Sequence, residues 1–319
     1  MADGTGVRRV AVVGCGTVGA SWAALFLAHG LDVTATDPAE GAQARLAAVV
    51  EGARAQLAGF GLTGAGTLRF VPTIPEALDG AEFVQENAPE NEAFKRELLA
   101  EIDGLLPPAV LVASSTSALL RSAIVAACAR PERVLVAHPF NPPHLVPLVE
   151  IVAGDAAVAE RAAAFYRGLG RRPVILRREM PGHIANRLAS ALYREAVNLV
   201  AEGVASVADI DAALCHGPGL RWAAMGPHMT YHLGGGAGGI AHYLAHLGPS
   251  QERRWASLGQ PALTPEVQAA IVSGVAEEAA GLSIAELEAR RDRALVGILK
   301  ARETVAPDPA QQATTETRA

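Results

Sequence analysis

Cysteine is scarce in this chain: Cys15, Cys128 and Cys215 are three of 319 residues, and no Cys-x-x-Cys pair occurs. That scarcity excludes a disulfide framework, argues against a thiolate zinc site and fits a reducing, cytoplasmic setting. Positive charge is short too. With 27 Lys and Arg against 33 Asp and Glu, the net charge is -6. A nucleic-acid partner is therefore not expected, because phosphate contacts need clustered cations. The longest basic grouping, Arg171-Arg172 with Arg177-Arg178, brackets a short apolar run and reads as the solvated ends of a strand. No uninterrupted apolar run reaches the ~20 residues that cross a bilayer, so no membrane span is expected. The opening Met1 to Gly6 is short and polar, and no targeting signal is read there.

What is present is the composition of a compact globular protein: half the residues are hydrophobic and 19% are charged. The length favours about two domains. From Val7 to about Leu176, short β-branched runs alternate with Ala-rich helical stretches. The strand candidates are Val10–Val13, Asp32–Thr36, Ala81–Val84, Val110–Val112 and Val134–Val136, with Leu148–Val152 and Val174–Leu176 as possible extensions. Runs that are apolar throughout suit strands buried on both faces, and their alternation with helices predicts a parallel, doubly wound α/β sheet. The pattern changes at Met180-Pro181-Gly182. Beyond it, His183 to Gly203, Val207 to Leu214, 264–279 and 283–301 read as helices. The predicted organisation is a Rossmann-type domain over 1–180, an all-α substrate and dimerisation domain over 181–305, and a disordered tail over 306–319. The glycine run from Gly234 to Gly239 is expected to be a loop. The homodimer is an expectation from architecture alone.

Gly14-Cys15-Gly16-Thr17-Val18-Gly19 follows a strand run and opens a helical one, and Asp37 ends the next strand. G-x-G-x-x-G is common by chance, but in this setting it reads as a dinucleotide fingerprint. Gly14 permits the tight turn, Gly16 lets the backbone approach a pyrophosphate, and Gly19 lets the helix pack on the strand. The amides at the helix start, Thr17 and Val18 among them, face the phosphates. Asp37 would accept the ribose hydroxyls and repel a 2'-phosphate, which predicts NAD rather than NADP. Cys15, inside this loop, reads as a compact space-filler.

Polar residues recur where the ends of a buried sheet should be apolar: Ser114 to Ser117, His138 to Asn141, Glu150 within Leu148–Val152, and Asn186. Ligands in open α/β sheets bind beyond the carboxyl ends of the strands, where the first two segments fall. Oxidation of an alcohol needs a base for the hydroxyl proton, and His138 suits it because histidine titrates near neutral pH. Glu150, isolated in an apolar run, needs a partner and would fix the tautomer of that imidazole. Ser117 and Asn186 would hold the substrate oxygen.

Taken in order, Gly14 to Gly19, Pro89-Glu90-Asn91, Ser114 to Ser117, His138-Pro-Phe-Asn-Pro142, Leu148-Val-Glu150 and Pro181 to Arg187 resemble the L-3-hydroxyacyl-CoA dehydrogenase family over nearly the whole chain. The resemblance implies NAD-dependent oxidation of a 3-hydroxyl with His138 and Glu150 as the catalytic pair. It also implies substrate contacts by Ser117 and Asn186, and places Glu90 and Lys95 beside the nicotinamide and its ribose. Two departures point to a branch acting on free, small 3-hydroxy acids, that of carnitine dehydrogenase and lambda-crystallin (L-gulonate 3-dehydrogenase). Pro38 to Phe94 contains no lysine and only Arg45, Arg54 and Arg69, which is poor in cations for coenzyme A. Gly217 to Pro227, with Arg221 and Trp222, is similar to that branch. Arg221 would fork onto a substrate carboxylate. Trp222 offers a cation–π face to a trimethylammonium, although core packing is the commoner use of a Trp. The alternatives are an acyl-CoA thioester substrate and a non-catalytic, crystallin-like NADH binder.

His228 with His232 and His242 with His246 have the i, i+4 spacing of zinc ligands but lack an intervening Glu, so no metal is expected. His183 and His216 read as surface or cap residues, and Ser21 and Trp22 as packing.

Overall fold

The computed structural model describes residues 6–304, so the expected tail over 306–319 lies outside the described residues. Strands and α-helices alternate through most of the first part: β1 (Arg9–Val13), α1 (Thr17–Ala28), β2 (Asp32–Thr36), α2 (Ala42–Ala58), β3 (Leu68–Phe70), α3 (Ile74–Leu78), β4 (Phe83–Glu86), α4 (Glu92–Leu105), β5 (Leu111–Ser114), α5 (Arg121–Ile124), β6 (Val134–Pro139), β7 (Leu148–Val152), α6 (Ala156–Gly168) and β8 (Arg172–Ile175), with a 3-10 turn at Pro131–Arg133 before β6. The strands form one eight-stranded sheet in the order β3-β2-β1-β4-β5-β6-β7-β8. This is the doubly wound Rossmann arrangement expected from the sequence.

One part of the expectation needs correcting. The sheet is mixed, because β7 runs antiparallel to β6 while β8 pairs parallel with β7. The segment between β6 and β7 is too short for a helical crossover, so the chain turns back on itself. The third strand, Leu68–Phe70, pairs with β2 at the sheet edge and carries too little apolar pattern to announce itself.

Successive residues of a strand point to opposite faces, so β1 feeds two cores. Val10 and Val12 face a cluster with Trp22, Phe26, Phe83, Phe165 and Tyr166. Ala11 and Val13 face Leu99, Ile102, Val112 and Val134 on the other side. Trp22 stacks on Phe26 at 5.6 Å between ring centres, and Phe83 on Phe165 at 4.1 Å. A buried side chain of this size contributes roughly 1.5–3 kcal/mol. This double burial is why the strand sequences read as apolar runs rather than as alternations.

The contacts divide the chain into a unit ending at Arg187 and a unit beginning at Leu188. The second unit is helical: α7 (Ala185–Ala201), which begins in the first unit, then α8 (Val207–His216), α9 (Pro218–Ala224), α10 (Pro227–Gly234), α11 (Gly239–Ala256), α12 (Pro265–Ala279) and α13 (Ile284–Thr304). Ser206 and Thr264 cap α8 and α12 with side-chain oxygens. The glycine run expected as a loop is a single tight turn, Gly236–Gly238, between α10 and α11. Among the described residues of this unit, Val197 alone of the large apolar side chains is fully buried, whereas Leu188, Leu220, Met229, Leu233, Val272 and Ile284 are exposed. No helix among the described residues is long and apolar enough to cross a membrane.

Candidate active site

The glycine turn joins β1 to α1 beside the carboxyl ends of the strands. Gly14 has φ +88°, and a Cβ there would lie 2.8 Å from the Asn87 backbone. A Cβ on Gly19 would come within 1.9 Å of the Gly14 carbonyl oxygen, so only hydrogen fits between helix and turn. Gly16 differs: nothing lies within 4 Å of the Cβ it lacks. It is the N-cap of α1 and supplies no side chain to the helix amides, and Thr17 beside it is exposed. The first turn of α1 therefore presents bare N–H groups and a positive dipole end to an open cradle, the arrangement that holds a pyrophosphate. Asp37, just past β2, accepts from Cys15 N at 2.6 Å and from Ala39 N at 2.8 Å. Its remaining lone pairs can take ribose hydroxyls. These residues fit a dinucleotide. Burial, and then the Asp37 charge, push the Cys15 thiol up to about 12, which leaves it inert.

Further along the strand ends, His138 on β6 and Glu150 on β7 are direct partners in the antiparallel register. His138 Nδ1 lies 2.9 Å from Glu150 Oε2, and both side chains are buried. A carboxylate only accepts, so Nδ1 carries the proton and Nε2 is left as the basic nitrogen. Glu150 Oε1 accepts from Ile184 N at 2.7 Å and Ala185 N at 3.0 Å, the amides that open α7. Burial pushes the Glu150 carboxyl up, but the bonds from His138, Ala185 and Ile184 outweigh it and hold the group below its ordinary value.

Ser117, after β5, is exposed, and its carbonyl accepts from Asn186 Nδ2 at 3.1 Å. The loop carrying Ser117 is clamped by Glu90, whose Oε1 accepts from Thr116 Oγ1 at 2.6 Å, Ser117 N at 2.8 Å and Ala118 N at 2.9 Å. Lys95, expected beside the nicotinamide and its ribose, points to the end of β4. It is buried in α4 and donates to Glu86 Oε1 at 2.7 Å and the Ala88 carbonyl at 2.8 Å. Glu86 is fully buried and also accepts from Ser114 Oγ. A buried carboxylate needs this compensation, which draws the ammonium inward.

A model of the 3-hydroxyacyl-CoA dehydrogenase NAD binding domain matches residues 9–180, and one of the 3-hydroxyacyl-CoA dehydrogenase C-terminal domain matches 182–270. The chain belongs to the 3-hydroxyacyl-CoA dehydrogenase family. Relatives of this 3-hydroxyacyl-CoA dehydrogenase family member include proteins named L-carnitine dehydrogenase. That of Streptomyces coelicolor is 48% identical over 95% of this chain and 97% of its own length. That of Pseudomonas aeruginosa is 47% identical over 95% and 96%. Among solved structures, a 5-formyl-3-hydroxy-2-methylpyridine 4-carboxylic acid 5-dehydrogenase, described as an NAD+ dependent dismutase, superposes with a TM-score of 0.76 at 31% identity. The match covers 93% of this chain and 99% of that one.

One residue of this family member differs from its sequence reading. His183, expected at the surface, is 2% exposed, and its ring centre lies 5.1 Å from that of His138. The available signal was its place between the Pro181-Gly182 breaker and Asn186. Ser21 is buried, as its reading as packing implies, and also shares a hydrogen with His144 Nδ1 at 2.7 Å and accepts from His144 N at 3.0 Å. The other His144 ring nitrogen meets Gln56 Oε1 at 2.7 Å, so α1, α2 and the β6–β7 segment are tied together. Among the described residues no group of three or more His, Cys, Asp or Glu is placed to hold a metal ion. His242 and His246 stack on each other at 4.0 Å, and His232 Nδ1 accepts from Ile240 N.

Proposed function

We propose that the protein is an NAD-dependent dehydrogenase oxidising the 3-hydroxyl of a small, free 3-hydroxy acid to the 3-keto product, with a carnitine-like acid as substrate. The observation that carries the reading is the His138–Glu150 pair. It is an imidazole whose protonated nitrogen faces a carboxylate at 2.9 Å and whose other nitrogen is left to accept. In this reading His138 Nε2 takes the hydroxyl proton, and Glu150 stabilises the imidazolium that results. Bound NAD supplies the hydride acceptor. The Ser117 hydroxyl and the Asn186 amide, oriented by its bond to the Ser117 carbonyl, hold the substrate oxygen against the base. Glu90 shapes the Ser117 loop, and Asp37 selects NAD over NADP.

A free acid is favoured over a thioester by the poverty of cations between Pro38 and Phe94 and by the name shared by the relatives described above. Arg221, on α9, is exposed and makes no ion pair among the described residues, as a fork awaiting a carboxylate would be. Trp222 beside it is 38% exposed rather than core, which leaves a ring face for a quaternary ammonium. The helical unit, with its exposed apolar side chains, is completed by a second copy of the chain as a homodimer.

The test is NADH formation at 340 nm with L-carnitine, L-gulonate, L-3-hydroxybutyrate and L-3-hydroxybutyryl-CoA. Turnover of a free acid supports the reading. Turnover of the thioester alone replaces the substrate class, and silence across the panel with NADH still bound favours a non-catalytic binder.

A further inference from the structure

A second imidazole stands beside the His138–Glu150 pair. His183 occupies the turn before α7 with φ +50°, directly after Gly182 at φ +73°. Two consecutive left-handed residues, one of them not glycine, form a backbone that a chain adopts only when its surroundings hold it there. What holds it is visible. His183 Nε2 lies 3.1 Å from the carbonyl oxygen of buried Thr116, which joins this turn to the loop after β5. The next two amides, Ile184 N and Ala185 N, are the donors that occupy Glu150 Oε1. The Thr116 tether and the Glu150 donors are thus adjacent along one short piece of chain.

The protonation state follows from the partners. A carbonyl accepts only, so Nε2 carries the hydrogen. Nδ1 is buried and has no partner among the described residues. A second proton would place an N–H there with nothing to receive it, and a cation 5.1 Å from the His138 ring. The charged groups facing His183 are His138 from β6, Glu150 from β7 and Glu90 from the loop before α4. Both oxygens of Glu150 are taken, by His138 and by the two amides. Glu90 Oε1 is committed to the Thr116–Ala118 loop. Burial pushes the His183 ring below the ordinary histidine range, in keeping with a ring that stays uncharged.

We propose that His183 is a positioning residue for the base: as a neutral, Nε2-protonated ring it pins the turn before α7 to Thr116, keeps the Ile184 and Ala185 amides on Glu150, and so holds His138 against its carboxylate. The proposal rests on the reading of His138 as base. A phenylalanine could fill the same volume but could not hold the Thr116 carbonyl. A glutamine carries an N–H at the reach of Nε2 and cannot become a cation.

His183→Phe is therefore expected to lower kcat by roughly tenfold or more with KM for NAD+ within about twofold, because small misplacements of a base are costly. His183→Gln is expected to recover kcat to within about threefold of the parent, since one neutral hydrogen bond is replaced by another. Nitrogen-15 NMR of the imidazoles, run on the protein without cofactor, is expected to show His183 as the Nε2–H tautomer. Parental kcat in His183→Phe, or His183→Gln as impaired as His183→Phe when both melt like the parent, would overturn the proposal, and so would an Nδ1–H tautomer for His183. If a variant does not fold, the tautomer measurement on the parent protein decides alone. If the parent turns over nothing in the substrate panel, the reading of His138 as base falls by itself, and the same spectrum still judges the geometry claimed for His183.

Discussion

His138 and Glu150 stand directly opposite each other across the antiparallel β6–β7 pair, with imidazole and carboxylate in contact at 2.9 Å. Opposed side chains of such a pair have Cβ atoms roughly 4.5–5.5 Å apart on one face of the sheet. The ladder itself therefore sets the contact, and neither side chain needs to reach. A slip of one residue in β7 would send the carboxylate to the other face.

Replacing His138 by Gln removes the basic nitrogen while keeping a polar side chain of similar size. The expected loss in kcat is about 10²–10⁴-fold, the usual contribution of a positioned base, with NADH affinity by fluorescence titration unchanged. Activity within tenfold of the parent would move the base elsewhere.

Glu150 should be felt in stability as well as rate. Its carboxyl is held below the ordinary 4.5 because bonds from His138, Ala185 and Ile184 outweigh its burial. A depressed folded-state value means the carboxylate stabilises fully above the ordinary carboxylate range, and that contribution fades as pH falls through the folded value. The Tm gap between the parent and Glu150→Gln should therefore be widest near neutral pH and close in acid. Glu150→Ala should cost more, about 1–3 kcal/mol for each buried donor left unpaired. A gap that does not depend on pH would show that the charge contributes nothing.

Gly16→Ala separates folding from cofactor binding. The added methyl meets nothing in the protein within 4 Å, so melting should be unaltered. It would stand in the cradle before α1, and the dissociation constant for NADH should rise at least about tenfold as the close approach to phosphate is lost. Gly19→Ala, whose methyl strikes the Gly14 carbonyl, should instead lower Tm. Unchanged NADH binding by Gly16→Ala would place the pyrophosphate elsewhere.

Arg221→Met tests the substrate carboxylate. On the proposed role, removing its bidentate, charge-assisted contact should raise KM for the acid by roughly tenfold or more, from ~1.5–3 kcal/mol for a bond to a charged group, and leave NADH affinity alone. Full activity would remove Arg221 from the site.

The Rossmann core was legible because burial on both faces leaves a plain mark, a run of β-branched residues such as Val10–Val13 between helical stretches. The His138–Glu150 contact was legible because an acid in the apolar run Leu148–Val152 demands a partner. Strand direction was not. A reversed β7 has the same apolar run as a parallel one, and only the short Pro-rich segment before it hinted at a turn-back. β3, three residues at an edge, buries too little to pattern its sequence. His183 was misread because a single histidine near a Pro-Gly breaker looks like a cap until the carbonyl above it is seen. The role of Lys95 rests on resemblance alone, and its ion pair with Glu86 depends on the burial of β4.

The tie from Ser21 through His144 to Gln56 bears on how the site keeps its dimensions when the molecule vibrates. Ser21 lies one turn into the helix that starts at the glycine cradle, and His144 lies in the segment that follows His138. The glycine turn and the strand end carrying His138 are thus referred to one common frame, as the two jaws of a calliper are fixed to one beam.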